Sequence, residues 1–297
     1  MSLSSAAVPG APAPLLAVDA PSLLYRAFFA LPSSITGPDG GPVNALLGTA
    51  NLILFAVERH APRAVVLCFG AEAARYRVEL FAPYHADRPP MPEELVTQWE
   101  DARAFFAAFG WPSLDAGDLE ADDLLGSLAR VETDAGGRAL LFTGDRDMFQ
   151  CAGAGVTVLY PRTGARDGPD EVDAAGVRDR YGVDPAQVPD FIALRGDPSD
   201  GLPGAKGIGE KTARDLLREH TDLEGVLAAA TRAGALKPRA RATLSEAAQE
   251  LRDFRAIATL QPVEVPRPAD APLDAAGAAR AARERGMERL AARLEGL

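Results

Sequence analysis

The chain of 297 residues contains few of the residues that define several large protein classes. Its two cysteines, Cys68 and Cys151, lie far apart without the close spacing of a zinc site, so we expect free thiols in a reducing cytosol. No apolar run reaches the roughly 18 residues of a membrane span. Residues 1–14 lack the basic start and long apolar stretch of a signal peptide, and we expect a disordered tail there.

Positive charge is also scarce. The chain has 31 Lys and Arg residues against 42 Asp and Glu residues, which gives a formal net charge of −11. This balance argues against a nucleic-acid binder, because neutralising phosphates requires Lys and Arg. The argument weakens if many carboxylates are gathered in one place to hold divalent cations, and if the contacts to nucleic acid are local.

Short apolar runs alternate with helical patterns in the first half of the chain. Predicted strands cover residues 15–18, 64–69, 139–143 and 156–160. Strands that alternate with helices indicate an α/β fold with a parallel, doubly wound sheet. We expect this core over residues 15–171, a helical lobe over 172–262, and an extension over 263–297 that ends in a helix.

Carboxylates collect at the predicted strand ends and in two other places. Three follow strands directly, three open a helix, and two lie in a Gly-Asp-Pro-Ser-Asp turn: Asp19, Asp145 and Asp147; Glu120, Asp122 and Asp123; Asp197 and Asp200. Ligands of open α/β sheets bind at the carboxyl edge of the strands. Clustered carboxylates raise one another's pKa and remain ionised only with cations among them.

Oxygen ligands without His or Cys select hard ions, which predicts Mg²⁺ or Mn²⁺. Two such ions about 4 Å apart would activate a water and stabilise the leaving oxygen of an in-line phosphoryl displacement. Each acidic group alone also has an ordinary explanation, as a helix cap, a dipole partner or a turn residue. Their order and topology together favour the metal site.

A glycine-rich turn follows the last acidic group. Gly204, Gly207 and Gly209 allow close backbone approach to a phosphate, and the next helix begins with free N–H groups beside Lys206, Lys211 and Thr212. Such a helix-hairpin-helix, over residues 201–217, binds duplex backbone without reading its sequence. The plainer alternative is a glycine loop between two packed helices. The turn is not a nucleotide-binding P-loop, because no buried strand precedes it.

Taken together, these motifs resemble the bacterial 5′-3′ exonucleases, or flap endonucleases, the family of the N-terminal nuclease domain of DNA polymerase I. The resemblance covers residues 15–262 and rests on these segments: Val18-Asp19, Tyr25-Arg26-Ala27-Phe28, Tyr76-Arg77, Arg88-Pro89-Pro90-Met91-Pro92, Leu119-Glu120-Ala121-Asp122-Asp123, Thr143-Gly144-Asp145-Arg146-Asp147, Arg195-Gly196-Asp197-Pro198-Ser199-Asp200, and Leu202-Pro203-Gly204 through Gly207-Ile208-Gly209-Glu210-Lys211-Thr212. No polymerase domain follows, so we expect the stand-alone form.

The resemblance implies a PIN-like, resolvase-like core, a helical arch over residues 75–103 and a helix-hairpin-helix lobe. It assigns the first metal ion to Asp19, Glu120 and Asp122, with Asp123 alongside. It assigns the second ion to Asp145, Asp147, Asp197 and Asp200, and it allows a third. Asp145 is accordingly also expected to be essential for catalysis.

The resemblance also implies the DNA contacts. Arg77 and Arg88 would contact the cleaved phosphate or strand, and Tyr25 and Arg26 would lie near the bases next to the cut, with Arg26 helping to position the phosphate. Tyr84 and His85 belong to the arch. The turn from Gly204 to Gly209 would bind downstream duplex, together with a K⁺ ion.

The sequence departs from the family pattern at two positions. Gly70 follows the second strand where the family has an Asp ligand of the first ion, and Glu72 is a candidate substitute. His85 stands where the family has Lys, so its charge would depend on pH.

We therefore expect a monomeric, cytosolic, nucleoid-associated nuclease that cuts 5′ flaps, nicked duplexes or RNA primers. Two alternatives remain open. One is a non-catalytic flap or junction binder, which the missing carboxylate at position 70 favours. The other is a PIN-like ribonuclease, against which the glycine turn argues.

Overall fold

A six-stranded sheet forms the centre of the molecule in a computed structural model that describes residues 12–162 and 168–297. Most of the expected tail lies outside the described residues. The strand order is β3-β2-β1-β4-β5-β6. The strands are β1 Leu15–Asp19, β2 Ala64–Phe69, β3 Ser113–Asp115, β4 Ala139–Phe142, β5 Val156–Tyr160 and β6 Asp170–Val172.

The four long strands confirm the predicted parallel core. Every residue of β1, β2 and β4 is buried, as expected of parallel strands covered on both faces. One edge of the sheet is not parallel, because the short strand β6 pairs antiparallel with β5. The two strands that the sequence did not reveal, β3 and β6, have three residues each and no apolar run to mark them.

Thirteen α-helices surround the sheet in the described residues. They are α1 Ala20–Ala30, α2 Asn44–His60, α3 Arg75–Leu80, α4 Glu93–Ala107, α5 Ala121–Asp134, α6 Ala174–Tyr181, α7 Val188–Arg195, α8 Glu210–His220, α9 Leu223–Thr231, α10 Pro238–Glu246, α11 Ala248–Ala258, α12 Ala275–Glu284 and α13 Glu288–Glu295. Helix α5 begins later than predicted, so Glu120 is its N-cap residue and does not lie in its first turn. The segment between β2 and α4 contains the short helix α3.

Two apolar layers cover the two faces of the sheet. One contains α5 and the helical lobe, and the other contains α1, α2, α4 and the C-terminal hairpin of α12 and α13. The hairpin is fixed to α4 by Arg285, whose guanidinium donates two hydrogen bonds of 2.5 Å to Asp101. The extension is therefore part of the core. Within the described ranges, no helix combines the length and the apolar character needed to cross a bilayer.

The segment after α11 connects the helical lobe back to α5. Gln261 N donates to Asp123 Oδ1 at 2.7 Å, and Val263 N donates to Ser127 Oγ at 2.8 Å. Farther along, Arg267 donates to the fully buried carboxylate of Glu132, which also pairs with Arg63. Removing one partner from such a buried ionic group is strongly destabilising. The lobe is thereby held in a fixed position against α5, which carries Asp122 and Asp123 and is capped by Glu120.

Candidate functional site

Strands β1 and β4 are adjacent and parallel, so their carboxyl ends place Asp19 beside the loop that carries Asp145 and Asp147. Thr143 Oγ1, just after β4, donates to Asp19 Oδ2 at 2.6 Å and accepts from Asp145 N at 2.9 Å. Ser22 N donates to the other oxygen of Asp19 at 3.0 Å. Thr143 therefore connects Asp19 to the loop that carries Asp145.

A cleft of about 1140 Å³ opens at this edge of the sheet. Six of the eight predicted metal residues line it: Asp19, Glu120, Asp122, Asp145, Asp197 and Asp200. Asp147 is buried next to the cleft, where the negative charges of Asp145, Asp200 and Asp197 act on it. Groups that are distant in the sequence thus form one acidic cluster, as the topology predicted.

Burial and mutual repulsion disfavour ionisation within this cluster. Burial, followed by the charge of Asp200, raises the pKa of Asp145 to about 7. Burial is also the main reason why the pKa values of Asp19, Asp122 and Asp147 are raised, and neighbouring aspartates raise the latter two further. At neutral pH these groups remain charged together only if cations are present among them.

The donor set fits hydrated Mg²⁺ or Mn²⁺. Asp122 Oδ1 is buried and has no hydrogen-bond partner, although its environment is polar. In the described ranges, no three acidic, histidine or cysteine side chains form a ready-made cage for an ion. Mg²⁺ does not require one, because it retains several waters and takes one or two carboxylates directly. The cluster therefore suits ions held partly through water.

A tight turn presents the acidic pair that follows α7. Asp197 and Leu202 exchange two backbone hydrogen bonds of 2.8 Å, which bring the ends of the turn together. Gly196 has φ +84°, and a Cβ there would lie 2.6 Å from the carbonyl oxygen of Leu202. Glycine is required at this position for both reasons. The turn holds Asp197 and Asp200 in the cleft and leads directly into the predicted phosphate-binding turn.

Two side chains from the segment between α3 and α4, His85 and Arg88, meet Asp200. His85 Nε2 lies 3.1 Å and Arg88 Nη2 lies 3.3 Å from Asp200 Oδ1. His85 Nδ1 lies 2.9 Å from the carbonyl oxygen of Glu72, and a carbonyl only accepts, so Nδ1 carries a proton. Both side chains line the same cleft as the acidic cluster.

Three predicted site residues have a different place from the one expected. Arg77 is 3% exposed and forms a two-bond pair with Asp123, at 2.8 and 3.0 Å, and its Nε donates to Ile257 O. Asp123 is fully buried and also accepts from Glu120 N. Tyr84 is buried, and its hydroxyl donates to Glu120 at 3.0 Å. None of the three lines the cleft.

These three residues instead surround Glu120. Its Oε1 atom lies 3.0 Å from Arg77 Nη1 and accepts from Ala74 N at 2.7 Å. Arg77 also reaches α11 through Ile257, so one buried guanidinium connects the arch, α5 and the helical lobe. The motif revealed the residues, but not which of them point inward, because the burial of an arginine depends on the lobe packed over it.

Gly70 lies where the end of β2 touches the start of α5. A Cβ at position 70 would lie 2.5 Å from Leu119 O and 2.7 Å from Ala121 N. Any larger residue would therefore have to move the backbone. Glu72 lines the cleft, and its charge is close enough to add to the burial that raises the pKa of Tyr25. Glu72 is therefore a carboxylate of the cleft, two residues beyond Gly70.

The remaining predicted DNA contacts fall on α1 and on the glycine turn. Tyr25 lines the cleft, whereas Arg26 is half-buried on α1 and does not. In the turn, the outward residues are Lys206, Gly207, Gly209, Lys211 and Thr212, and Gly204 is half-buried with φ +63°. Gly209 caps α8 without a side-chain hydrogen bond. This surface could accept a phosphate through backbone N–H groups and lysines.

Two arginines that the sequence analysis did not select also line the cleft, namely Arg146 and Arg195. Arg195 donates to Asp197 Oδ2 at 3.2 Å, and Arg146 Nε donates to the Tyr160 hydroxyl at 3.3 Å. Each is within two residues of a predicted metal residue in the sequence. This proximity in the sequence is the signal that could have predicted their place in the cleft.

Two family descriptions match the chain consecutively. Residues 14–182 match "5'-3' exonuclease, N-terminal resolvase-like domain", and residues 183–276 match "5'-3' exonuclease, C-terminal SAM fold". The resolvase-like part contains the sheet and the arch. The second part contains the glycine turn and most of the helical lobe.

Curated relatives include a 5'-3' exonuclease of similar extent and part of a larger enzyme. A "5'-3' exonuclease" of Streptomyces coelicolor is 39% identical over 277 aligned residues, and the match covers 88% of this chain and 88% of the other. The DNA polymerase I of Pseudomonas aeruginosa is 41% identical over 205 residues, or 69% of this chain. The match spans only 22% of that polymerase.

Solved structures share the fold at low identity. A bacteriophage T5 flap endonuclease, in a complex with DNA and metal ions, has a TM-score of 0.66 at 18% identity, covering 95% of this chain and 98% of the other. The catalytic core of Rad2 with a DNA substrate has a TM-score of 0.61 at 16% identity, covering 95% and 92%. The sheet with its carboxylate edge, the two consecutive family matches and the Streptomyces relative lead to one conclusion: the chain belongs to the 5′-3′ exonuclease family.

Proposed function

We propose that the protein is a divalent-metal-dependent 5′ nuclease that hydrolyses phosphodiesters in branched or nicked DNA, as a 5′-3′ exonuclease and flap endonuclease. The observation that carries the proposal is the buried carboxylate cluster at the carboxyl edge of the sheet, with Arg88 and His85 beside it. Such a cluster is unfavourable unless it binds cations, and cations bound there would meet a phosphate.

The two halves of the cluster have distinct roles in this proposal. Asp19, Glu120 and Asp122, with Glu72, would hold one ion, and Asp145, Asp147, Asp197 and Asp200 would hold the other. When bound, Mg²⁺ or Mn²⁺ would lower the pKa of a water and neutralise charge on the phosphate. Arg77 and Tyr84 would act indirectly by fixing the carboxylate of Glu120, and Asp123 by fixing its backbone N–H.

The remaining residues would bind and orient the DNA. Arg88 and His85, which contact Asp200, would contact the phosphate of the DNA, and Arg146 and Arg195 would add positive charge to the cleft. The turn with Lys206 and Lys211 would hold downstream duplex, with a K⁺ ion beside its carbonyls. These local cations reconcile DNA binding with the net charge of −11. The protein would work as a monomer on the nucleoid, on 5′ flaps and primer RNA.

A catalytically weakened flap-binding protein is the second candidate, and Gly70 is the observation in its favour. The backbone packing around position 70 leaves no space for the carboxylate of the family pattern. Cleavage of a labelled 5′-flap duplex with Mg²⁺ or Mn²⁺ separates the two functions. Cleavage establishes the nuclease, and binding without cleavage by either ion establishes the binder.

Replacing Asp145 by Asn should remove cleavage and retain binding. The amide preserves the size of the side chain but takes a negative charge from the centre of the cluster, so the flap-cleavage rate should fall about 100-fold or more. Flap affinity by fluorescence anisotropy should change by less than about threefold, because the phosphate-binding turn is untouched. Asp253 is half-buried on α11 and does not line the cleft, so Asp253→Asn is the matched control. Undiminished cleavage by Asp145→Asn would rule out this site.

Arg77 and Arg88 should separate in their effects on stability. Arg77→Ala leaves two buried carboxylates without their cation, and we expect a loss of about 3–5 kcal/mol in the free energy of unfolding. Arg88 is 41% exposed with one 3.3 Å contact. Arg88→Ala should therefore cost at most about 1 kcal/mol while still lowering cleavage. Urea unfolding measures both, and equal stability losses would contradict these assignments.

Glu72 should determine how strongly the first ion binds. Glu72→Gln should raise the Mn²⁺ concentration for half-maximal cleavage by about tenfold, since one anionic ligand is lost. Glu79→Gln is the control, because that carboxylate pairs with Arg75 on the exposed side of α3. Gly70→Asp should lower the unfolding midpoint without improving Mn²⁺ affinity. An unchanged Mn²⁺ requirement in Glu72→Gln would exclude Glu72 as a ligand.

A further inference from the structure

Phe29 is an exposed aromatic side chain at the rim of the cleft that the roles above do not use. It is 70% exposed, the highest value among the large apolar side chains in the described part of the chain. A single exposed apolar residue is common and indicates nothing by itself. Phe29, however, lines the same cleft as the acidic cluster. The exposed ring can therefore contact a ligand that enters the cleft.

The Phe29 ring extends an aromatic strip along α1. Its centroid lies 5.1 Å from the Phe28 ring, edge to face, and 6.4 Å from the Tyr25 ring. Tyr25 precedes Phe29 by one helical turn, so both project from the same side of α1. Tyr25, Phe28, Met91 and Trp99 all pack against one apolar layer. The strip is therefore continuous with the core.

Helix α1 holds this strip rigidly. Leu23, Leu24 and Ala27 are at most 3% exposed. A Cβ on Gly48 of α2 would lie 2.6 Å from Ala27 Cβ, so the two helices touch beside Phe29. The backbone that carries Phe29 therefore need not be ordered when a ligand covers the ring, which favours binding.

The chemistry of the strip selects the flat part of a nucleotide. Its apolar rings offer nothing to a phosphate, whereas every nucleobase has a face that stacks on an aromatic ring. The distance also fits. Phe29 lies ten residues beyond Asp19, about 15 Å along the helix, and its side chain leans back toward the N-terminus by part of that. This places the ring within about three stacked nucleotides of the cluster.

We propose that Phe29 is the stacking face for an unpaired base of the cleaved strand, within three nucleotides of the cut. This inference rests on the proposed nuclease function. Phe29 would select an opened strand over intact duplex at the rim of the cleft, because a paired and stacked base has no free face to offer. It is a positioning residue for the substrate and takes no part in the bond cleavage.

The test uses the Asp145→Asn protein, so that flap DNA remains intact with Mg²⁺ present. 2-Aminopurine is placed at each of the three positions on either side of the cut, and at a distant duplex position. Stacking on Phe29 should quench the fluorescence at one of the near positions. Phe29→Leu, which keeps an apolar side chain without a flat face, should abolish the quench and weaken binding about tenfold.

Two further variants control the interpretation. Phe29→Trp keeps a flat ring and should retain both the quench and the affinity. Val96→Ala removes another exposed apolar side chain, from outside the cleft, and should change neither. If Phe29→Leu matches the parent in quench and affinity, the inference is wrong. If the protein with Asp145 intact does not cleave the flap at all, the proposed function fails instead, and the two failures are thereby distinguishable.

Discussion

Repulsion among buried carboxylates is the constraint around which the rest of the molecule is arranged. Parallel strands bring Asp19 and Asp145 to one edge, and the lobe adds Asp197 and Asp200 to the same cleft. Without cations, burial raises the pKa of Asp145 to about 7, so charge and fold oppose each other at neutral pH. Bound cations would remove this opposition by neutralising the carboxylates, and such perturbed pKa values are typical of functional sites.

Much of the structure serves to hold that unfavourable cluster in place. Thr143 fixes Asp19, the paired turn after α7 fixes Asp197, and Arg77 fixes Glu120. Arg77 also donates to Ile257 at the end of α11, so the lobe that would bind duplex DNA is coupled to a carboxylate of the cleft. Binding and cleavage would thus depend on one continuous set of contacts.

The sequence predicted the long strands, the acidic cluster and the glycine turn because each leaves a local pattern. It did not predict β3 and β6, whose three residues form strands only through their neighbours. It also did not predict that Arg77 and Asp123 face inward, since that depends on the segment from Ile257 to Gln261 packing over them. The reason for Gly70 became clear only from the backbone of α5 against it.

The most direct test of this account is the thermal midpoint of unfolding between pH 5 and pH 8, with and without Mg²⁺. The raised pKa of Asp145 adds stability at low pH that is lost as pH rises through about 7. Without Mg²⁺ the midpoint should therefore fall from pH 5 to pH 8. The lowered pKa of His60 has the opposite effect on stability. The fall should be smaller in Asp145→Asn, and the difference between the two proteins gives the contribution of Asp145. Mg²⁺ should restore the midpoint at high pH. A midpoint that changes neither with Mg²⁺ nor with Asp145→Asn would contradict the account.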